Sequence, residues 1–270
     1  MTSFLQGSGR PDQPPSAPAP QQVTAQAVSA LPRLLVSAER QILARRSDPL
    51  SVSTSYVIMR NGIGALGLAL PIVLIVGGGL DHVQPSLSAY YHFSEARPGD
   101  YGAGTLRDAF VGMLCAIGAF LFFYRGHSLQ EDFALNVAGI AAILVALFPM
   151  DWPAGALPAM TRTTKLHSLS ATAFFVMVAY VCVFRGRDTL CIMGNAGRRR
   201  RFERLYLVIG IAMLATPASI AALQLWPATR SGHSIILVEV AGVFVFAAYW
   251  LIKGFEIRSS LHAACRIDLG

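Results

Sequence analysis

The chain is 270 residues long, 54% hydrophobic and only 14% charged, with a mean hydropathy of +0.50. Soluble domains carry close to a quarter charged residues, so this balance argues against an ordinary soluble enzyme and points to lipid as the solvent. A formal net charge of +7 does not mark a nucleic-acid partner, because the basic residues fall between apolar runs instead of forming one basic face.

Residues 1–28 are rich in Pro, Gln, Ala and Ser, with the run Pro14-Pro15-Ser16-Ala17-Pro18-Ala19-Pro20, and hold too few large apolar groups to offset the entropy of ordering. They read as a disordered tail. They also lack the basic region and apolar core of a cleavable signal, which leaves targeting to the first span. In 29–56, Leu34, Leu35, Ala38 and Ile42 recur at helical spacing while Arg33, Glu39, Arg40, Arg45 and Arg46 take the other positions. That pattern fits a basic interfacial helix touching anionic headgroups, and equally a solvated helical linker.

A hydrocarbon core about 30 Å thick needs on the order of 20 apolar residues of helix. On that measure the segment 57–254 divides into spans near 58–80, 108–124, 132–150, 166–184, 205–226 and 234–252. The fold class expected is an all-α, polytopic transmembrane bundle of six spans. Positive loops stay in the cytoplasm. An inside N-terminus leaves only Arg97, Arg107, Arg162, Lys165 and Arg230 outside, out of 22 basic residues. Both termini are therefore expected in the cytoplasm, with 255–270 as a tail and Arg198–Arg201 as a topological anchor. Trp152, Trp226 and Trp250 fall near span ends, where amphipathic rings favour headgroups.

Small residues mark close helix approach in lipid. Gly62, Gly64 and Gly67 do so in the first span, and Ala109, Gly112, Ala116 and Ala119 form a stripe in the second. Thr216-Pro217 removes a backbone hydrogen bond from the fifth span and is expected to bend it. Cys115, Cys182, Cys191 and Cys265 show no paired spacing, so neither a zinc ribbon nor a disulfide framework is indicated.

Ionisable groups in or at spans are costly and raise the question of function. Most gather on the outer side: Asp81, His82 and His92 in the first loop, Asp108, Asp151 and His167 at span ends, His233 opening the sixth span, and Glu239 about 9 Å deeper by the helical rise. The expected site is a polar, outward-facing pocket for a small molecule, lipid or ion, with Ser88, Tyr91, His92, Asp108, His167 and Glu239 as binding residues. An alternative is a zinc-dependent hydrolase of a lipid amide or ester, in which His92, His167 and His233 hold the metal and Asp108 or Glu239 acts as the base. Against both stands the ordinary abundance of polar residues at span ends and the favourable place of Asp108 at a helix N-terminus. Tyr90 and Tyr91 read either as pocket walls or as belt anchors. Glu239, two turns inside a span, requires a partner such as His167, Arg107 or a cation. Asn136 and Gln224 read as interhelical hydrogen-bonding groups, and His127, Glu131 and Asp132 as a loop and helix start. No phosphate loop, nucleophile elbow or H-E-x-x-H helix occurs.

The segment Ser86-Leu87-Ser88-Ala89-Tyr90-Tyr91-His92, with Arg107-Asp108-Ala109-Phe110-Val111-Gly112 and Ala146-Leu147-Phe148-Pro149, resembles a family of bacterial multi-pass membrane proteins of unknown activity. His167, Glu239 and Tyr249-Trp250-Leu251-Ile252-Lys253-Gly254 extend the likeness, which implies a bacterial inner membrane. Ser88, His92, Asp108, His167 and His233 are also similar in order to the zinc set of the membrane hydrolases that include alkaline ceramidases and the progestin and adiponectin receptors. That superfamily has seven spans, a close pair of histidines in the last and a site nearer the cytoplasm, whereas this chain has one histidine there and an outward cluster.

Overall fold

Hydrocarbon gives the backbone no hydrogen-bond partner, so an apolar chain crossing it must satisfy each peptide group within its own helix. The computed structural model describes residues 49–93, 104–152, 160–188, 190, 196–226 and 232–267, and no strand occurs among them. The segment 1–28 and most of 29–56 lie outside the described residues. Six helices are long and apolar enough to cross a membrane: α1 (Pro49–Gly78), α2 (Thr105–Phe123), α3 (Leu129–Leu147), α4 (Arg162–Tyr180), α5 (Ala196–Leu225) and α6 (Ser234–Ile267). The chain is thus a multi-pass membrane protein.

The spanning parts of α2, α3 and α4 begin at Thr105, Leu129 and Arg162, about a turn before the first residue that hydropathy alone assigns. Each opening turn carries charged or polar residues, which lower local hydropathy but suit a helix start. In α3 the Ser128 hydroxyl accepts from the Glu131 amide at 3.2 Å while the Glu131 carboxylate accepts from the His127 amide at 2.8 Å. These reciprocal bonds satisfy amides that have no intrahelical partner. The helix start expected at Glu131 and Asp132 is thus present. Further on, the Arg198–Arg201 run lies inside α5 and is exposed, and α6 continues as helix to Ile267 past the expected tail boundary at 255.

Consecutive helices from α2 to α6 are neighbours. The ring closes where α1 meets α6, since a Cβ on Gly64 would stand 2.7 Å from Leu251 and 3.1 Å from the Ala247 carbonyl. Of the three small residues expected to pack in α1, Gly64 and Gly67 do, and Gly62 faces open space. Of the small-residue stripe expected in α2, Ala109 packs against a buried cluster and Ala116 and Ala119 are half-buried, whereas Gly112 is exposed with nothing near it. The close approach is instead Gly118 against Gly139 of α3, where a Cβ on either would come within 2.7 Å or less of the other's carbonyl oxygen.

The core draws on every helix, through Ile63, Leu121, Leu135, Val178, Met213 and Phe246. Trp250 also belongs to it. At 1% exposure it sits edge-on to Tyr124 at 5.2 Å, so it is a packing residue and not a headgroup anchor. Large apolar side chains such as Val76, Leu169, Leu237 and Phe255 point outward, as they should where the surrounding solvent is as apolar as the interior.

Candidate functional site

Two polar regions occupy opposite ends of the bundle. At the first, α1 stops at Gly79, whose φ of +86° is open to glycine without strain. The chain then makes 3-10 turns at Leu80–His82 and Ser88–His92. Gly78 lets this loop lie close, because a Cβ there would stand 2.8 Å from Tyr90. The loop is fastened to α6 twice: the Ile236 amide donates to the Pro85 carbonyl at 3.1 Å, and the Leu87 amide donates to a Glu239 carboxylate oxygen at 2.5 Å. Within it, the Ser86 hydroxyl accepts from the Ala89 amide at 3.1 Å.

Beneath the loop lies a cavity of about 590 Å³ to which all six helices contribute, including Leu70, Phe110, Val145, Phe174, Ile220 and Val243. Its polar wall holds Ser86, Ser88, Thr164, His167 and Glu239. His167 is buried, with Nδ1 2.8 Å from the Phe148 carbonyl and Nε2 3.0 Å from the Ser88 hydroxyl. The carbonyl of Phe148 is available because α3 ends at Leu147, and the last carbonyls of a helix lack intrahelical donors.

The lower rim is set by Asp151, which the sequence places only as the end of a span. Its carboxylate accepts from the Thr161 hydroxyl at 2.5 Å and the Thr161 amide at 3.1 Å, and its amide donates to Thr164 Oγ1 at 2.7 Å. Thr161 in turn caps α4 by accepting from the Thr164 amide at 3.2 Å. The Thr161 donors hold the Asp151 carboxyl below the usual carboxylate range.

Of the expected binding residues, Ser88, His167 and Glu239 line this cavity, and Tyr91, His92 and Asp108 do not. Asp108 is exposed and faces Arg107 at 3.4 Å, so it is a helix-start charge and not a base in the pocket. His92 stacks on Trp152 at 5.8 Å and binds the Met150 carbonyl through Nε2 at 2.9 Å, bracing the wall from behind. Tyr91 meets His92 edge-on at 5.0 Å. Tyr90 is a core residue stacked on Phe93, and its burial pushes the phenol up from its ordinary value. Glu239 accepts from the Leu87 amide, while His167 and Arg107, the side chains expected beside it, bond elsewhere. Gln224, expected between helices, lines the cavity.

The three-histidine zinc set is corrected as well. His233 is exposed, His167 has both ring nitrogens engaged within the protein, and His92 is turned to Met150. Among the described residues no three His, Cys, Asp or Glu side chains gather as metal ligands.

The second region was missed by sequence reasoning. Arg60, Lys253 and Glu256 are buried to within 2% exposure. Arg60 donates through Nε to the Tyr124 hydroxyl at 2.6 Å and also through Nη2. Lys253 donates to Glu256 at 3.0 Å and to the Gly186 carbonyl at 2.7 Å, and lies 4.6 Å from the Tyr206 ring centre. Tyr206 donates to Glu256. Gly186 is presented by the π turn Val181–Arg185, closed by the Gly186 amide on the Val181 carbonyl at 2.8 Å. The only signal available was Lys253 and Glu256 at i, i+3, which puts both on one face of α6. Compared with protein families, curated proteins and solved structures, the chain matches none.

Proposed function

We propose that this multi-pass membrane protein binds a single-chain lipid, with the apolar chain in the cavity and a hydrogen-bond-donating head, hydroxyl or ammonium, at Glu239 and Ser88. The observation that carries the reading is the division of the cavity wall. Most polar groups belong to the loop and the adjoining helix ends; Thr172, deeper in α4, returns its hydroxyl to the Ser168 carbonyl at 2.9 Å, and Phe174 lies seven residues, about 10 Å by the helical rise, beyond His167. A volume of about 590 Å³ falls within the range of about 300–1,000 Å³ usual for a small-molecule site. An ion would require several oxygen ligands converging on one point, and a largely apolar wall serves no such purpose. Glu239 supplies an acceptor that a donating head would meet.

The basic-residue asymmetry supports a non-cytoplasmic position for this end of the bundle, in which case the lipid would come from the outer leaflet. The bacterial resemblance makes the inner membrane the natural setting. Binding of a fluorescent long-chain monoacylglycerol to detergent-purified protein tests the reading. Ala171→Phe, which fills the cavity from α4, is expected to weaken binding by about tenfold or more, the loss that ~1.4 kcal/mol of forfeited burial produces. Equal binding by wild type and a folded Ala171→Phe variant overturns the cavity as the site.

A further inference from the structure

The hydrogen bonds of His167 fix where its proton sits. A carbonyl oxygen only accepts, so Nδ1 must carry a hydrogen and donate it to Phe148 at 2.8 Å. In the neutral ring this leaves the Nε2 lone pair facing the Ser88 hydroxyl at 3.0 Å, with that hydroxyl as donor. A serine beside an imidazole base, itself oriented by a third group, is the arrangement that activates a hydroxyl for attack on carbonyl carbon.

The pair is not needed to hold the loop. Residues 85–87 are already tied to α6 through Pro85 and Leu87, and Ser86 closes the turn on the Ala89 amide. Ser88 remains only half-buried and lines the cavity. Its hydroxyl therefore meets its base beside the space where a ligand would lie.

Resting on the reading that a single-chain lipid occupies the cavity, we propose that Ser88 and His167 form an acyl-transfer site for oxygen esters of long-chain carboxylic acids. Ser88 Oγ bonds to the ester carbonyl carbon as its proton passes to His167 Nε2. The carbon–oxygen bond to the alcohol then breaks, and the same proton leaves Nε2 for the departing alkoxide, releasing the alcohol and leaving an acyl group on Ser88. Water completes the cycle: it gives a proton to Nε2 as its oxygen bonds to the acyl carbon, the bond to Ser88 Oγ breaks, and that proton returns to Oγ as the free acid is released. Glu239, bound to the Leu87 amide, acts as a positioning residue for the loop that carries Ser88.

The test uses the full chain in detergent and a long-chain alkyl fluorophosphonate, which phosphonylates activated serines. Intact mass followed by peptide mapping is expected to show one adduct per chain, on Ser88, and none on Ser88→Ala. His167→Gln, which lacks the base, is expected to slow labelling by about 100-fold or more, the usual contribution of a positioned general base. The mapping on wild type stands even where a variant fails to fold. A wild-type chain that binds the fluorescent monoacylglycerol yet gains no adduct at Ser88, or gains it on Ser86 or Ser168 instead, overturns the acyl-transfer proposal and leaves lipid binding intact. Labelling of a folded His167→Gln variant at the wild-type rate overturns the assignment of the base. A wild-type chain that takes up no lipid overturns the cavity reading, and the substrate class assigned here falls with it.

Discussion

Glu239 and Asp151 show how differently two carboxylates can be held at one end of a bundle. Glu239 is enclosed by protein yet keeps one side toward the cavity, and its hydrogen bond to the Leu87 amide at 2.5 Å compensates part of the cost of burial. Asp151 is near solvent and joins the end of α3 to the cap of α4 through Thr161 and Thr164. Its carboxyl is held low by the Thr161 donors, so its ionised form is favoured by folding. The stabilisation is then present above the unfolded value, near 3.9 for an ordinary aspartate, and is lost as pH falls through the lower folded value. Asp151→Asn is expected to lower the melting temperature at neutral pH, and the gap between variant and wild type is expected to narrow under strong acid. A gap that is constant from pH 7 to pH 3 would mean the charge plays no part. That Glu239 needed a partner was legible, because a carboxylate two turns into a span cannot stay alone. Which partner was not, since a backbone amide has no letter of its own and presents itself only where the loop folds. The charge count puts Arg60 and Lys253 among the cytoplasmic basic residues and says nothing of where their side chains turn. A side chain at such a position can turn outward to headgroups or inward to Tyr124 and Glu256, and the choice depends on neighbours far along the chain.

At the scale of elements, α2 and α3 meet where neither has a side chain. Gly139→Ala would put a Cβ 2.5 Å from the Gly118 carbonyl and 2.9 Å from the Phe122 amide. Backbone atoms cannot swing aside as a side-chain tip can, so the substitution is expected to cost about 1–3 kcal/mol, the usual range for overpacking. Gly112→Ala faces open space and is expected to stay within about 0.5 kcal/mol of wild type. Thermal unfolding in detergent of the two variants compares them directly, and equal melting points would refute this account of the contact. Of the stripe Ala109, Gly112, Ala116 and Ala119, Gly112 is the member left exposed. Small residues permit close approach without demanding it, and Gly118 is the one that finds another glycine opposite. The existence of every span was legible from length and apolar content, while the starts of α2, α3 and α4 lay hidden in polar opening turns that depress hydropathy.

The whole molecule is organised by its two ends. One gathers the loop 80–93, the starts of α2, α4 and α6 and the cavity; the other gathers Arg60, Tyr124, Tyr206, Lys253 and Glu256. The charge asymmetry predicts that these ends face different compartments. With the native cysteines replaced, a cysteine at Asp81 is expected to react with a membrane-impermeant maleimide from outside intact cells, and one at Arg200 only after lysis. Reaction of both from the same side would reverse or break the topology and remove the outer leaflet as the source of lipid. The sequence by itself determined that the chain spans a membrane as six helices, because hydrocarbon imposes one requirement on every peptide group and apolar length answers it residue by residue. Only the tertiary structure decided that His167 meets Ser88, that Glu239 meets Leu87, and that Asp108, His92 and His233 stand apart. A helix end brings a side chain to a known depth, but its direction around the axis follows from packing against neighbours distant in sequence. Depth is local information, and convergence is not.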